Sequence, residues 1–317
     1  MKDLGRLITA MVTPFTDNGD VDFERAKEFA LALVKTGSDG LLIGGTTGES
    51  PSMNEDEKLE LFKSVKEAVG ESATVIAGTT DNNTNASVDL SKKAEKLGVD
   101  AILLTVPAYN KPTQEGLYQH FAKIANSVSI PGLLYNVPSR TSLNMDTDTT
   151  LKLAKIDNIV GVKEASSDPD QITNIISDSP ENFKVWSGND NETFSIMSTG
   201  GYGVVSVASN IIGNQVKKLM GFILDGQTEL AAKEHKRLLL FFNALFWVTN
   251  PIPIRHALNR SGFKMGPPRL PMVEAPKDFT DKFDPVMDQY DMDISCLLYT
   301  SDAADDLLCV DLGGRRI

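Results

Sequence analysis

Short apolar runs alternate with longer amphipathic segments along most of the chain. The runs at 7–12, 40–44, 74–78, 101–106, 132–136, 159–164, 184–187 and 203–207 are short and β-rich, and most are apolar nearly throughout. Strands covered on both faces read this way, whereas a strand with one wet face alternates. The segments between them carry apolar residues at helical spacing, as at Leu59, Leu61, Phe62 and Val65 within 54–69. Asp22 and Asn54 stand where helices should be capped, and Gly37, Gly70 and Gly98 where they should stop. Eight such units predict an α/β fold, a (β/α)8 TIM barrel. A doubly wound sheet is the competing architecture, but no G-x-G-x-x-G follows the first strand and eight repeats suit closure better.

Beyond the eighth run, 215–224 and 229–246 read as helices, followed by NPIPIRHALNRSG at 250–262 and a last helix near 278–290. The expected division is therefore a barrel at 1–224 and a helical extension at 225–294, whose expected purpose is to cover apolar surface. The remainder, 295–317, runs CLLYTSDAADDLLCVDLGGRRI from Cys296 with neither helical nor strand periodicity. It reads as adaptor or vector-derived sequence and is left out of the fold. The other reading is a native peptide that folds on a partner.

Composition narrows the function. A length of 317 residues suits one barrel with extensions. Apolar residues make up 41% and charged ones 23%, ordinary for a globular protein, and no apolar run approaches the roughly 20 residues that span a bilayer. The opening MKDLGRLITAMVTPF lacks the long apolar core and cleavage site of a signal peptide, so a cytoplasmic protein with no membrane role is expected. A formal charge of -12 repels phosphate backbones and no basic stripe offsets it, so a small-molecule ligand is expected rather than nucleic acid. Both cysteines, Cys296 and Cys309, lie in the tail, which leaves the body no thiol for a disulfide, a zinc cluster or a nucleophile. His120, His235 and His256 are far apart in sequence and show no ligand spacing, so no metal is expected.

Reactive residues at the C-terminal ends of barrel strands are the informative ones. The sixth strand runs IVGVKEA and sets Lys163 at the rim after an apolar stretch. Desolvation there lowers a lysine pKa toward the neutral amine that attacks a carbonyl, although an ion pair with nearby carboxylates is an equal reading. The fifth strand ends LLYNVPSRT. Tyr135 is either core packing or a proton shuttle, and Arg140 can grip a carboxylate in bidentate fashion. The second strand ends GGTTGES, whose Thr46 and Thr47 suit a small carboxylate cradle, a phosphate loop or a plain turn. The fourth ends TVPAYNKPTQEG and offers Tyr109 on a loop long enough to reach a neighbouring subunit.

GGTTGES, YNVPSRT, GVKEA and NPIPIRHAL, in this order, resemble the dihydrodipicolinate synthase family over essentially residues 4–290. The resemblance implies condensation of pyruvate with L-aspartate 4-semialdehyde, the first committed step of the diaminopimelate route to lysine. It implies that Lys163 forms the Schiff base and that Tyr135, Thr46 and the adjacent subunit's Tyr109 relay protons. Arg140 would bind the semialdehyde carboxylate and Thr47 the pyruvate carboxylate. Gly188 and Val205 match backbone positions lining the pocket. No metal or organic cofactor is implied, and a homotetramer of tight dimers is. Lysine-inhibited members bind lysine at the dimer cleft with histidine, glutamate and tyrosine, whereas this chain has Glu55, Lys58, Ala86 and Ala108 there. Weak or absent inhibition by lysine is therefore expected. Two other functions compete. A sister lyase for sialic or keto-deoxy sugar acids is disfavoured by Arg140, and a catalytically dead binding barrel by the presence of lysine, tyrosine and arginine together.

Overall fold

The computed structural model describes residues 2–294. The tail expected at 295–317, with both cysteines, lies outside the described residues. Eight parallel strands close into one barrel in chain order. They are β1 (Leu7–Ala10), β2 (Gly40–Ile43), β3 (Thr74–Gly78), β4 (Ala101–Thr105), β5 (Gly132–Asn136), β6 (Ile159–Glu164), β7 (Lys184–Ser187) and β8 (Gly203–Ser206). The helices of the barrel are α1 (Phe23–Lys35), α2 (Glu55–Val69), α3 (Thr84–Lys96), α4 (Gln114–Ala125), the short α5 (Pro138–Thr141), α6 (Thr147–Leu153), α7 (Pro169–Asp178), α8 (Thr193–Ser198) and α9 (Ser209–Leu224). The extension adds α10 (Thr228–Ala244), α11 (Ile252–Arg260) and α12 (Lys277–Met287).

Local chemistry sets the helix ends. The Asp22 carboxylate accepts from Arg25 N at 2.9 Å at the start of α1. Asn54 and Glu57 cap each other's backbone at the start of α2, satisfying two N–H groups that the helix itself leaves unpaired. Gly70 ends α2 at φ 54°, a conformation that a Cβ disfavours.

Apolar packing falls into three clusters. Ile8, Leu42, Ile76, Leu103, Leu133, Tyr135, Trp186 and Val205 fill the barrel interior. A second cluster lies between strands β4 to β7 and helices α4 to α8. The third joins α1, α2 and α9 to Phe241, Phe242, Ile254, Phe279 and Phe283 of the extension. The extension thus shares a core with the barrel helices, burying large aromatic side chains whose removal costs about 3–5 kcal/mol each.

Candidate active site

Strand alternation decides which side chains reach the barrel mouth. On β6, Val162 packs into the helix layer, while Lys163 pairs in register with Tyr135 and Trp186 of the interior. Glu164 falls on the outer side. Its carboxylate accepts from Asn136 Nδ2 at 3.1 Å and Ser166 N at 2.7 Å, and Gln171 Nε2 lies 3.5 Å away. Asp190, buried on the loop after β7, accepts from the Ser206 hydroxyl and from Val207 N and Ala208 N at 3.0 and 3.1 Å. The carboxylates of Glu164 and Asp190 are thus engaged elsewhere, and among the described residues Lys163 enters no salt bridge. Its Nζ stands 4.1 Å from the centre of the Tyr135 ring. Burial lowers the Lys163 amine to about 7; Asp190 opposes that shift and Arg140 adds to it. Burial also pushes the Tyr135 phenol up to about 12, so it keeps its proton at neutral pH.

These groups open into a cavity of about 550 Å³ whose walls include Thr46, Thr47, Tyr135, Arg140, Lys163 and Gly188. The turn after β2 carries the threonines. Its Gly44 sits at φ 63°, where a Cβ would meet the Phe62 ring at 2.9 Å. Glu49, also left-handed at φ 55°, buries its carboxylate against Arg255 Nε and Nη2 at 3.1 and 2.7 Å and accepts from Arg269 N at 3.1 Å. Arg255 further donates to Met265 O and Thr13 O at 2.6 and 2.7 Å. A buried ion pair therefore fastens the threonine turn to α11. Gly188 donates its N–H to Glu164 O at 2.7 Å, and a Cβ there would lie 2.6 Å from that of Ala165, so no larger residue fits without movement.

Six of the eight expected site residues thus line one cavity. Val205 lies one layer lower in the interior cluster, and Val207, two residues on and on the same face, lines the cavity in its place. Tyr109 is 94% exposed on the loop after β4, outside its own chain's cavity. Among the described residues no hydrogen bond joins Tyr135 to Thr46. The extension does more than cover apolar surface: Phe246, Trp247, Val248, Thr249 and Asn250 form one wall. Sequence reading missed these residues and Asp190, although the motif beginning at Asn250 was a usable signal. Ser50, Lys58, Asp81, Asn82 and Ala108 line a second cavity of about 390 Å³, which shares Thr46 and Arg140 with the first. Burial lowers the Lys58 amine, while Glu55 turns away to pair with Lys93.

Fold and site together define a (β/α)8-barrel enzyme with a buried, near-neutral lysine at its C-terminal mouth. The chain belongs to the Dihydrodipicolinate synthetase family, whose profile matches residues 3–290. It is 53% identical over 275 residues to 4-hydroxy-tetrahydrodipicolinate synthase of Dehalococcoides mccartyi (strain CBDB1), covering 87% of this chain and 93% of that one. The protein of that name from Moorella thermoacetica is 50% identical over 278 residues, covering 88% and 95%. The dihydrodipicolinate synthase structure from Bacillus anthracis superposes with a TM-score of 0.90 at 41% identity, covering 92% of this chain and all of that one. That of the Cyanidioschyzon merolae enzyme with lysine bound superposes with a TM-score of 0.89 at 41% identity, covering 90% and 98%.

Proposed function

We propose that this chain condenses pyruvate with L-aspartate 4-semialdehyde to give 4-hydroxy-tetrahydrodipicolinate, through a Schiff base on Lys163. The observation that carries the reading is the Lys163 amine itself, buried, unpaired and lowered to about 7 beside a protonated phenol. The neutral amine adds to the pyruvate carbonyl and water leaves, giving an iminium that draws electrons from the methyl group. Loss of a methyl proton gives the enamine, whose carbon attacks the aldehyde. The new alkoxide takes a proton delivered through Tyr135. The semialdehyde's amine then attacks the iminium carbon, closes the ring and releases Lys163.

Thr47 suits the pyruvate carboxylate, held by its hydroxyl and the turn's backbone N–H groups. Arg140, at the outer edge, suits the carboxylate of the second substrate. Gly188 suits close backbone approach, and Val207 takes the pocket-lining place expected of Val205. Thr46 and Tyr109 of a neighbouring copy complete the proton relay, which makes a homo-oligomer, a tetramer of tight dimers, part of the proposal. The exposure of Tyr109 supports that arrangement, because a tyrosine free of its own chain is available to a second. A cytoplasmic location fits substrates of central metabolism, and among the described residues no helix is long and apolar enough to cross a membrane.

Steady-state assay of the full chain tests the substrate assignment. Turnover of pyruvate should depend on L-aspartate 4-semialdehyde and vanish in Lys163→Ala. Cleavage of N-acetylneuraminate or a keto-deoxy sugar acid, with no semialdehyde-dependent turnover, would replace this reading with the sister lyase.

A further inference from the structure

Asn250 lies near the end of the segment between α10 and α11, two residues before α11 begins, and is 4% exposed in the cavity wall. Its side-chain Nδ2 donates to Thr47 Oγ1 at 3.0 Å, across most of the chain, and its backbone carbonyl accepts from Arg140 Nη2 at 3.3 Å. Its own Oδ1 is buried with no partner among the described residues. A threonine hydroxyl has one proton to give and lone pairs to receive with. With the Asn250 amide occupying a lone pair, and no protein acceptor for the Thr47 hydroxyl among the described residues, that proton is left to point at whatever occupies the cavity. An acceptor in that place, such as a small carboxylate, is bound by an oriented donor rather than by a free rotor.

We propose that Asn250 is a positioning residue that turns the Thr47 hydroxyl toward the carboxylate of the first substrate. The inference rests on the proposed function, in which that substrate is pyruvate. Asn250 reaches the two subsites by different parts of itself: the side chain sets Thr47, and the backbone carbonyl holds Arg140. Side-chain substitution should therefore separate the two substrates. An oriented hydrogen bond to a charged group is among the stronger ones a protein makes, so its loss should raise the pyruvate KM about tenfold. The KM for the aldehyde and kcat should stay within about twofold.

The test is steady-state kinetics of Asn250→Ala, Thr47→Val and the double variant in the full chain. Because Asn250 acts through Thr47, the double variant should have the pyruvate KM of Thr47→Val alone. Asn250→Asp, which keeps the side-chain shape, covers a failure of the alanine variant to fold. It replaces the donor with an acceptor that recaptures the Thr47 proton, and should raise the pyruvate KM at least tenfold. An unchanged pyruvate KM, an equal rise for both substrates, or effects that multiply in the double variant would overturn the proposal. Borohydride trapping of pyruvate on the parent separates this from failure of the underlying reading. No adduct on the folded parent removes the reading and this inference with it. An adduct with an unchanged pyruvate KM in Asn250→Ala removes the inference alone.

Discussion

A lysine amine is ordinarily charged at neutral pH, and Lys163 departs from that because its surroundings leave it buried without a bound carboxylate. The sign of the pH dependence follows directly. With the amine lowered from 10.5 to about 7, the protonated form dominates below pH 7 and the nucleophilic neutral form above it. The rate of pyruvate adduct formation should rise about tenfold per pH unit well below 7 and flatten by about pH 8. Tyr135, pushed up to about 12, should contribute no step in that range. Stopped-time trapping between pH 5 and 9 measures the profile, and a rate still climbing about tenfold per unit between pH 8 and 9 would mean that the amine is not lowered. The sequence left an ion pair and a nucleophile as equal readings of Lys163. Distinguishing them needed the positions of Glu164 and Asp190: the first is turned out by strand alternation, and the second is claimed by Ser206 and two backbone N–H groups.

Elements position these residues. The turn after β2 is held from outside the barrel by the Glu49–Arg255 pair, both members of which are buried. Arg255→Met leaves a carboxylate buried without its counter-ion and should cost about 3–5 kcal/mol of stability. Denaturant titration reads this, and a loss below about 1 kcal/mol would show that the pair is dispensable. Of the positions where the resemblance implies lysine binding in inhibited members, Lys58 and Ala108 line the second cavity, with an amine and a methyl group in place of the histidine and tyrosine side chains. L-lysine should therefore leave activity unchanged below millimolar concentration, and half inhibition well below that would contradict the expectation. All eight strands were legible in the apolar runs, but four were expected one or two residues too long. Val12, Val106 and Val207 stay buried past the end of the ladder, so apolar character continues where strand pairing stops. The start of α9 was missed for the opposite reason. Its first turn contains Ser209 and Asn210, polar side chains consumed by backbone and hydroxyl groups across the barrel, which hides the helical period.

At the scale of the whole molecule, the extension and the barrel share both a core and a cavity wall, a relation that periodicity alone does not carry. Sequence reveals helices one at a time, whereas the wall from Phe246 to Asn250 exists only once α10 has packed against the barrel. Assembly makes a further demand, because Tyr109 serves a neighbour in the proposed mechanism. A mixture co-expressed from Tyr109→Phe and Lys163→Ala chains would contain sites with an intact Lys163 facing an intact Tyr109. Such mixtures should recover activity that neither variant shows alone, with turnover per total chain below half that of the parent; purely additive activity would count against a shared site. The central claim is the Schiff base, and mass spectrometry of the intact chain after incubation with pyruvate and borohydride tests it most directly. One lactyl-sized adduct in the parent and none in Lys163→Ala is the expected result, whereas a folded parent that gains no mass would contradict the account.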